Sequence, residues 1–248
     1  MTVFQNTIDL LGDEVTARKI VDGTIGEYND NVINSVGYSA FSGCNNLRSV
    51  NMPNVTSTGS NAFSLCTSLV SVELPNATSI KGGSFGGCTF LERINLPNAT
   101  TLNGNTFSNC TSLKSVDLPK VTNASYGEFS GCSALVSVNL PALMSGESGL
   151  FEKCTSLESI DLPVRVIDET MFKSCAKLNV LILRIDTRVC RLSNVNAFDG
   201  TPFAVGGTGG TVYVPQALIG QYQTETNWST LYAAGTCNFV AIEGSEYE

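Results

Sequence analysis

The sequence predicts a repeat solenoid, with one short parallel β-strand in each 22-residue coil and a small α/β cap at the C-terminal end. Three observations carry this. First, Cys44, Cys66, Cys88, Cys110, Cys132 and Cys154 recur every 22 residues, and Cys175 follows after 21. Second, a phenylalanine stands three positions before each of them (Phe41, Phe63, Phe85, Phe107, Phe129, Phe151, Phe172) and a leucine three positions after (Leu47, Leu69, Leu91, Leu113, Leu135, Leu157, Leu178). Third, a coil this short holds neither the helix pair of a helical repeat nor a four-stranded propeller blade, so stacking of single strands is what remains.

The full unit reads F-x-x-C-x-x-L-x-x-V-x-L-P. In Val72-Glu73-Leu74 two aliphatic residues alternate with a polar one, the period of a strand with one buried face. The strand is expected to centre on the middle residue, as at Glu73 and Asp117. Pro75 and its equivalents (Pro53, Pro97, Pro119, Pro141, Pro163) donate no ladder hydrogen bond and end it. Phe, Cys and Leu fill the interior as columns.

The ends depart from the unit. Residues 1–36 lack it and either cap the first coil or dock onto a larger assembly, with Val32–Val36 as the return side of an incomplete coil. The repeats span 37–204. Near their end Arg184 replaces proline, and Phe198-Asp199-Gly200-Thr201-Pro202 is a truncated copy. Residues 205–248 form the cap: a glycine-rich turn at 206–210, a strand at Thr211–Val214, and a helix starting at Pro215. Trp228 packs that helix on the last coil, a strand follows at Cys237–Ile242, and the acidic tail of Glu243, Glu246 and Glu248 is solvated. The glycine run is no phosphate loop, because no Lys-Ser/Thr follows it.

L-x-x-V-x-L-P with a later A-F-x-x-C resembles the BspA-like (Treponema-type) leucine-rich repeat over about residues 37–200. Proline so soon after the strand departs from the generic leucine-rich repeat. The resemblance implies a right-handed leucine-rich-repeat coil, a β-lined concave face and roles in adhesion or attachment; it implies no enzyme. Val212-Tyr213-Val214-Pro215 and Asn227-Trp228-Ser229 resemble the cap of repeat proteins encoded in prophages of gut bacteria.

Composition narrows the function. The chain has 248 residues, 14 Lys+Arg against 22 Asp+Glu, a net charge of −8 and no histidine. An acidic chain without a basic run makes a poor nucleic-acid binder. Absence of histidine removes the commonest general base and zinc ligand. No apolar run is long enough to span a bilayer. Met1 to Lys19 shows no basic stretch followed by an apolar one, so no leader is expected there. The chain then stays in the cytoplasm, has lost a leader, or leaves by lysis; a cell surface or phage particle is its expected place of action.

The cysteines lack zinc-site spacing, so they are expected to be free, buried thiols, with Cys190 and Cys237 outside the register and open to exposure. A serine at Cys88 would then bury a hydroxyl without a partner, at about 1–3 kcal/mol. Asn54-Val55-Thr56, Asn76-Ala77-Thr78 and Asn98-Ala99-Thr100 match the glycosylation pattern, but with no leader expected the repeat's own turn chemistry, Asn after Pro, explains them better. Acid pairs such as Asp168-Glu169 are read as a solvated face; no catalytic constellation, cofactor site or metal site is expected.

The candidate site is the outward side of the strands. One column runs Asn51, Glu73, Asn95, Asp117, Asn139, Asp161, Ile182, and a second Ser49, Ser71, Arg93, Ser115, Ser137, Ser159, Val180. Glu73, Arg93, Asn95, Asp117, Asn139 and Asp161 are the ligand-binding candidates on the concave face. Rungs at ~4.8 Å spacing suit sugar hydroxyls, a polar peptide or weakly held Ca²⁺, or merely keep an exposed sheet soluble. Two functions follow: an adhesin-like or phage-associated module binding a protein or glycan on a cell surface, or a structural spacer with no ligand on the solenoid.

Overall fold

The computed structural model describes Gln5, Thr7, Leu10 and residues 19–248. The chain winds as a stack of coils bearing two parallel ladders. The main ladder comprises Glu27–Asn29, Ser49–Asn51, Ser71–Glu73, Arg93–Asn95, Ser115–Asp117, Ser137–Asn139, Ser159–Leu162 and Val180–Leu183. Every pairing is parallel and joins equivalent residues, such as Val50 with Val72 and Val72 with Ile94. The strands therefore centre on Val72 and Val116, one residue earlier than Glu73 and Asp117. Leu74 still donates to the Asn95 carbonyl at 3.2 Å before Pro75 stops the ladder.

A second, shorter ladder was not read from the sequence. It runs from Ser35–Val36 through Ser57–Thr58, Ser79–Ile80, Thr101–Leu102 and Asn123–Ala124 to Ser145–Gly146, and resumes at Val166–Ile167 and Arg191–Leu192. Two residues per strand leave no alternation to detect. Between the second ladder and the cysteine, the coils of Phe41 through Phe151 turn by placing the residues two before and two after the phenylalanine in the left-handed region, and those of Phe172 and Phe198 only the later one. Examples are Asn61 (φ 56°) and Leu65 (φ 59°) around Phe63, and Gly83 (φ 67°) and Gly87 (φ 73°) around Phe85. Asn and Gly tolerate that region best, which accounts for their recurrence there. A third line of bonds joins these turns, as from Phe63 N to Ser84 O at 2.8 Å.

The first ladder strand, Glu27–Asn29, lies within the segment expected to precede the repeats, and Tyr28 pairs with Val50. Much of the capping or docking segment lies outside the described residues, as does the stretch read for a leader apart from Gln5, Thr7, Leu10 and Lys19; the Thr7 hydroxyl, buried, donates to Ala40 O at 2.6 Å.

The core is a set of columns. The rings of Phe41, Phe63, Phe85, Phe107, Phe129, Phe151, Phe172 and Phe198 stack at 5.1–5.7 Å with interplanar angles of 4–14°. All are fully buried. Offset stacking of this kind adds to the area each ring removes from water. Tyr28 tilts over one end of the stack, Phe203 and Trp228 over the other.

All nine cysteines are free and buried. For Cys190 and Cys237 this corrects the expectation of exposure: the cap covers Cys190, and Cys237 is buried within the cap's own last strand. Beside Cys190, its amide donates to the Tyr222 hydroxyl at 2.8 Å and its carbonyl accepts from Trp228 Nε1 at 2.7 Å. In the repeat column each thiol points at the previous coil: Cys88 Sγ lies 3.1 Å from Phe63 O, Cys110 Sγ 3.1 Å from Phe85 O and Cys132 Sγ 3.0 Å from Phe107 O. A serine at Cys88 therefore meets an acceptor, and its expected cost falls below that of an unpartnered hydroxyl.

The cap continues the main ladder. Gly210–Val214 pairs with Val180–Leu183, and Cys237–Ala241 pairs with Gly210–Val214. A Cβ on Gly210 would come within 2.5 Å of the Phe203 ring, so the strand enters on a glycine. Two short helices, Ile219–Thr224 and Trp228–Ala233, connect the strands where one was expected. Pro215 precedes the first turn with extended ψ (133°) rather than opening the helix. Among the described residues, no helix is long and apolar enough to cross a membrane.

Candidate binding face

Alternation turns one side chain of each V-x-L to the core and its neighbours outward. Glu73, Arg93, Asn95, Asp117 and Asn139 are exposed as expected, and Asp161 is partly so. The register sets Asn51, Glu73 and Asn95 side by side, and Asp117 beside Asn139. Ile182 corrects the expected column: it is 3% exposed, paired with Asp161 and Tyr213, and the Tyr213 ring meets Tyr247 at 4.6 Å. The acidic tail thus turns back toward the strand face while its carboxylates stay exposed, with Glu243 accepting from Gln216 N at 2.9 Å. The polar ladder ends at Asp161.

Four of the candidate side chains pair with one another, and Asp161 and Arg93 pair with neighbours outside the set. Asn95 Nδ2 donates to Glu73 Oε2 at 2.7 Å, Asn139 Nδ2 to Asp117 Oδ1 at 2.7 Å, and Arg184 Nε to Asp161 Oδ2 at 2.7 Å. Arg93 approaches Glu92 at 3.8 Å. Each pair holds its rotamers in place and leaves further carboxylate and amide oxygens facing out. Such a face is rich in preset acceptors and suits donor groups of a partner. Calcium finds less support: among the described residues no cluster of three or more His, Cys, Asp or Glu could hold a metal, and Asp117 and Asp161 already have donors.

The main ladder is interrupted twice. Its hydrogen bonds lapse between Arg93–Asn95 and Ser115–Asp117, and between Ser137–Asn139 and Ser159–Leu162. Glu73, Arg93 and Asn95 therefore belong to one block, Asp117 and Asn139 to the next, and Asp161 to a third. At the second break the short ladder lapses as well, between Ser145–Gly146 and Val166–Ile167. The coil there lacks one residue, with three steps from Pro163 to Val166 against four from Pro141 to Ser145. The core residues beside the two breaks, Ile94 and Val138, are partly exposed where their equivalents Val72 and Val116 are buried. A depression of about 140 Å³ opens at the second break, lined by Val138, Asn139, Pro141, Asp161, Pro163 and Arg184. Only the 21-residue spacing hinted at it in the sequence.

Sequence reasoning also missed Glu128, a fully buried carboxylate. It accepts from Gly104 N (2.6 Å), Thr106 N (2.9 Å) and Ser125 N (3.2 Å). Burial pushes its pKa above the ordinary glutamate value, against the pull of these backbone donors. It serves the turn, and no depression described here reaches it.

Residues 27–127 and 100–201 match the family model of the BspA type leucine rich repeat region, in six copies. The chain belongs to the BspA-type leucine-rich repeat family. The match starts at the first strand of the main ladder. Solved structures similar to this BspA-type chain include a leucine rich cell surface protein from Faecalibacterium prausnitzii A2-165, at 18% identity over 90% of this chain and 89% of that one (TM-score 0.49). A Treponema pallidum leucine rich repeat protein is similar at 26% identity over 68% and 70% of the two chains (TM-score 0.46). One from Bacteroides ovatus ATCC 8483 is similar at 21% over 86% and 77% (TM-score 0.42). No match was found among the curated proteins.

Proposed function

We propose that this BspA-type chain is a non-enzymatic, adhesin-like binding module that meets a protein at a cell surface through its strand-lined face. The observation that carries the reading is the pairing of opposites on that face. Ordered carboxylate–amide pairs at Glu73–Asn95 and Asp117–Asn139 flank apolar spots at Ile94 and Val138, which the ladder breaks leave partly open. Protein interfaces combine such apolar anchor points with a polar rim. Membership of a repeat family agrees with it, since stacked coils offer an extended surface rather than a catalytic cleft.

The test is binding to intact bacterial and host cells. A variant carrying Glu73→Ala, Asn95→Ala, Asp117→Ala and Asn139→Ala is expected to keep its melting temperature, because exposed changes shift stability by within about 0.5 kcal/mol. It should lose cell binding, and prior protease treatment of the cells should abolish binding of the unaltered chain. Full binding by the variant would remove the face from the account and favour a spacer.

A further inference from the structure

We propose a second site, for an extended polysaccharide, in the trough that crosses the outer turns beside Tyr126, away from the strand-lined face. The trough encloses about 400 Å³ and is walled by Asn61, Lys81, Asn103, Asn105 and Tyr126 over a floor that includes Gly82 and Gly104. It exists because one column loses its side chains between two tyrosines: Tyr38, Ser60, Gly82, Gly104, Tyr126. Both tyrosines are exposed, at 69% and 56%. Tyr126 leans on the glycine beside it. A Cβ on Gly104 would lie 3.1 Å from two of its ring atoms, so the ring rests on bare backbone and keeps its other side in solvent. An exposed tyrosine supported in this way offers a ring surface for stacking.

The polar groups agree with a sugar. Asn54, Asn76, Asn98 and Asn103 all donate to backbone carbonyls of the adjacent coil and are structural. Asn61 and Asn105 sit two coils apart at the left-handed turn position, and neither side chain forms a hydrogen bond to another described residue. Glycine fills that position at Gly83 and Gly127, so the turn does not require an amide there. An amide offers a donor and an acceptor side by side, the match for vicinal hydroxyls, while an aromatic face takes the C–H face of a pyranose. The coil repeat fits too: the ring spacing of 5.1–5.7 Å along the stack is close to the length of one pyranose unit in an extended chain. Successive sugars therefore meet equivalent positions of successive coils. Lys81 is exposed and no carboxylate lines the trough, so the site also takes a uronic acid unit.

The experiment is titration calorimetry and affinity electrophoresis with soluble xylan, hydroxyethylcellulose and polygalacturonate. The unaltered chain is expected to bind at least one of them. Tyr126→Ala should weaken that binding by about tenfold or more, and Tyr126→Phe should retain it, since the ring rather than the hydroxyl makes the contact. Asn61→Gly with Asn105→Gly should weaken it while leaving the melting temperature unchanged. The Glu73, Asn95, Asp117 and Asn139 variant should bind the polysaccharide like the unaltered chain, which separates this site from the protein-binding face. Binding by none of the three polymers, or binding indifferent to Tyr126→Ala, overturns the proposal.

Discussion

Cysteine at the recurring position does what neither alanine nor valine could. It is small enough for the column beside the phenylalanines, and its weak donor reaches the carbonyl of the preceding coil. That carbonyl already accepts the amide of the cysteine in its own coil, as from Cys88 N to Phe85 O at 3.1 Å, so the thiol adds a second, cross-coil bond. Burial pushes Cys44, Cys88, Cys132, Cys175, Cys190 and Cys237 from 9.0 up to about 12. A raised folded-state value means that the unfolded chain gives up these protons first. The stability they contribute is complete below pH 9.0 and drains away as pH rises toward about 12. At pH 8 a thiol reagent is expected to label few cysteines in the folded chain and all nine after denaturation. The melting temperature should fall steeply above pH 9, less so in a Cys88→Ala, Cys132→Ala variant; identical slopes in the two proteins would count against the thiols. The column was legible because seven coils repeat it. Glu128 was not: it stands alone in a column that reads Ala40, Ala62, Ser84, Thr106, and an isolated acid in a repeat looks like surface.

At the scale of elements, the strands were readable because V-x-L-P couples alternation to a stop signal, while two-residue strands and left-handed turns leave only Asn and Gly as traces. The cap shows how tertiary context decides what local pattern leaves open. Trp228 marked the packing, yet the chain uses it to begin a second helix and to hold Cys190 O. The Phe stack ends on Trp228, which also meets Phe239 edge-on at 5.7 Å, and the main ladder ends on Cys237–Ala241. Removing residues 205–248 would bare Phe198 and the paired edge of Val180–Leu183 together. Open apolar ends and unpaired strand edges aggregate. The truncated chain is expected to form large species on a sizing column and to melt lower; a monomeric truncation of equal stability would make the segment an appendage.

For the whole molecule, three lines of hydrogen bonds and one aromatic stack tie each coil to the next, and the breaks show which ties are dispensable. Between the coils of Phe129 and Phe151 both ladders lapse, yet the rings remain stacked at 5.5 Å and Phe129 N still donates to Leu150 O at 3.0 Å. The solenoid therefore opens toward the strand face without parting. This is why the candidate site was half legible: alternation named its residues, but the division into blocks follows from one missing residue and from pairing geometry that no residue type announces. The most direct test of a partner on that face places the same obstruction on two sides of one coil. Ser137 projects from the main ladder and Ser145 from the second, and both are exposed. Binding of Ser137→Arg and Ser145→Arg variants to intact cells is compared by titration, since each adds the same charge and bulk. The account predicts that Ser137→Arg abolishes binding and Ser145→Arg leaves it unchanged; equal binding by both, or loss confined to Ser145→Arg, would contradict it.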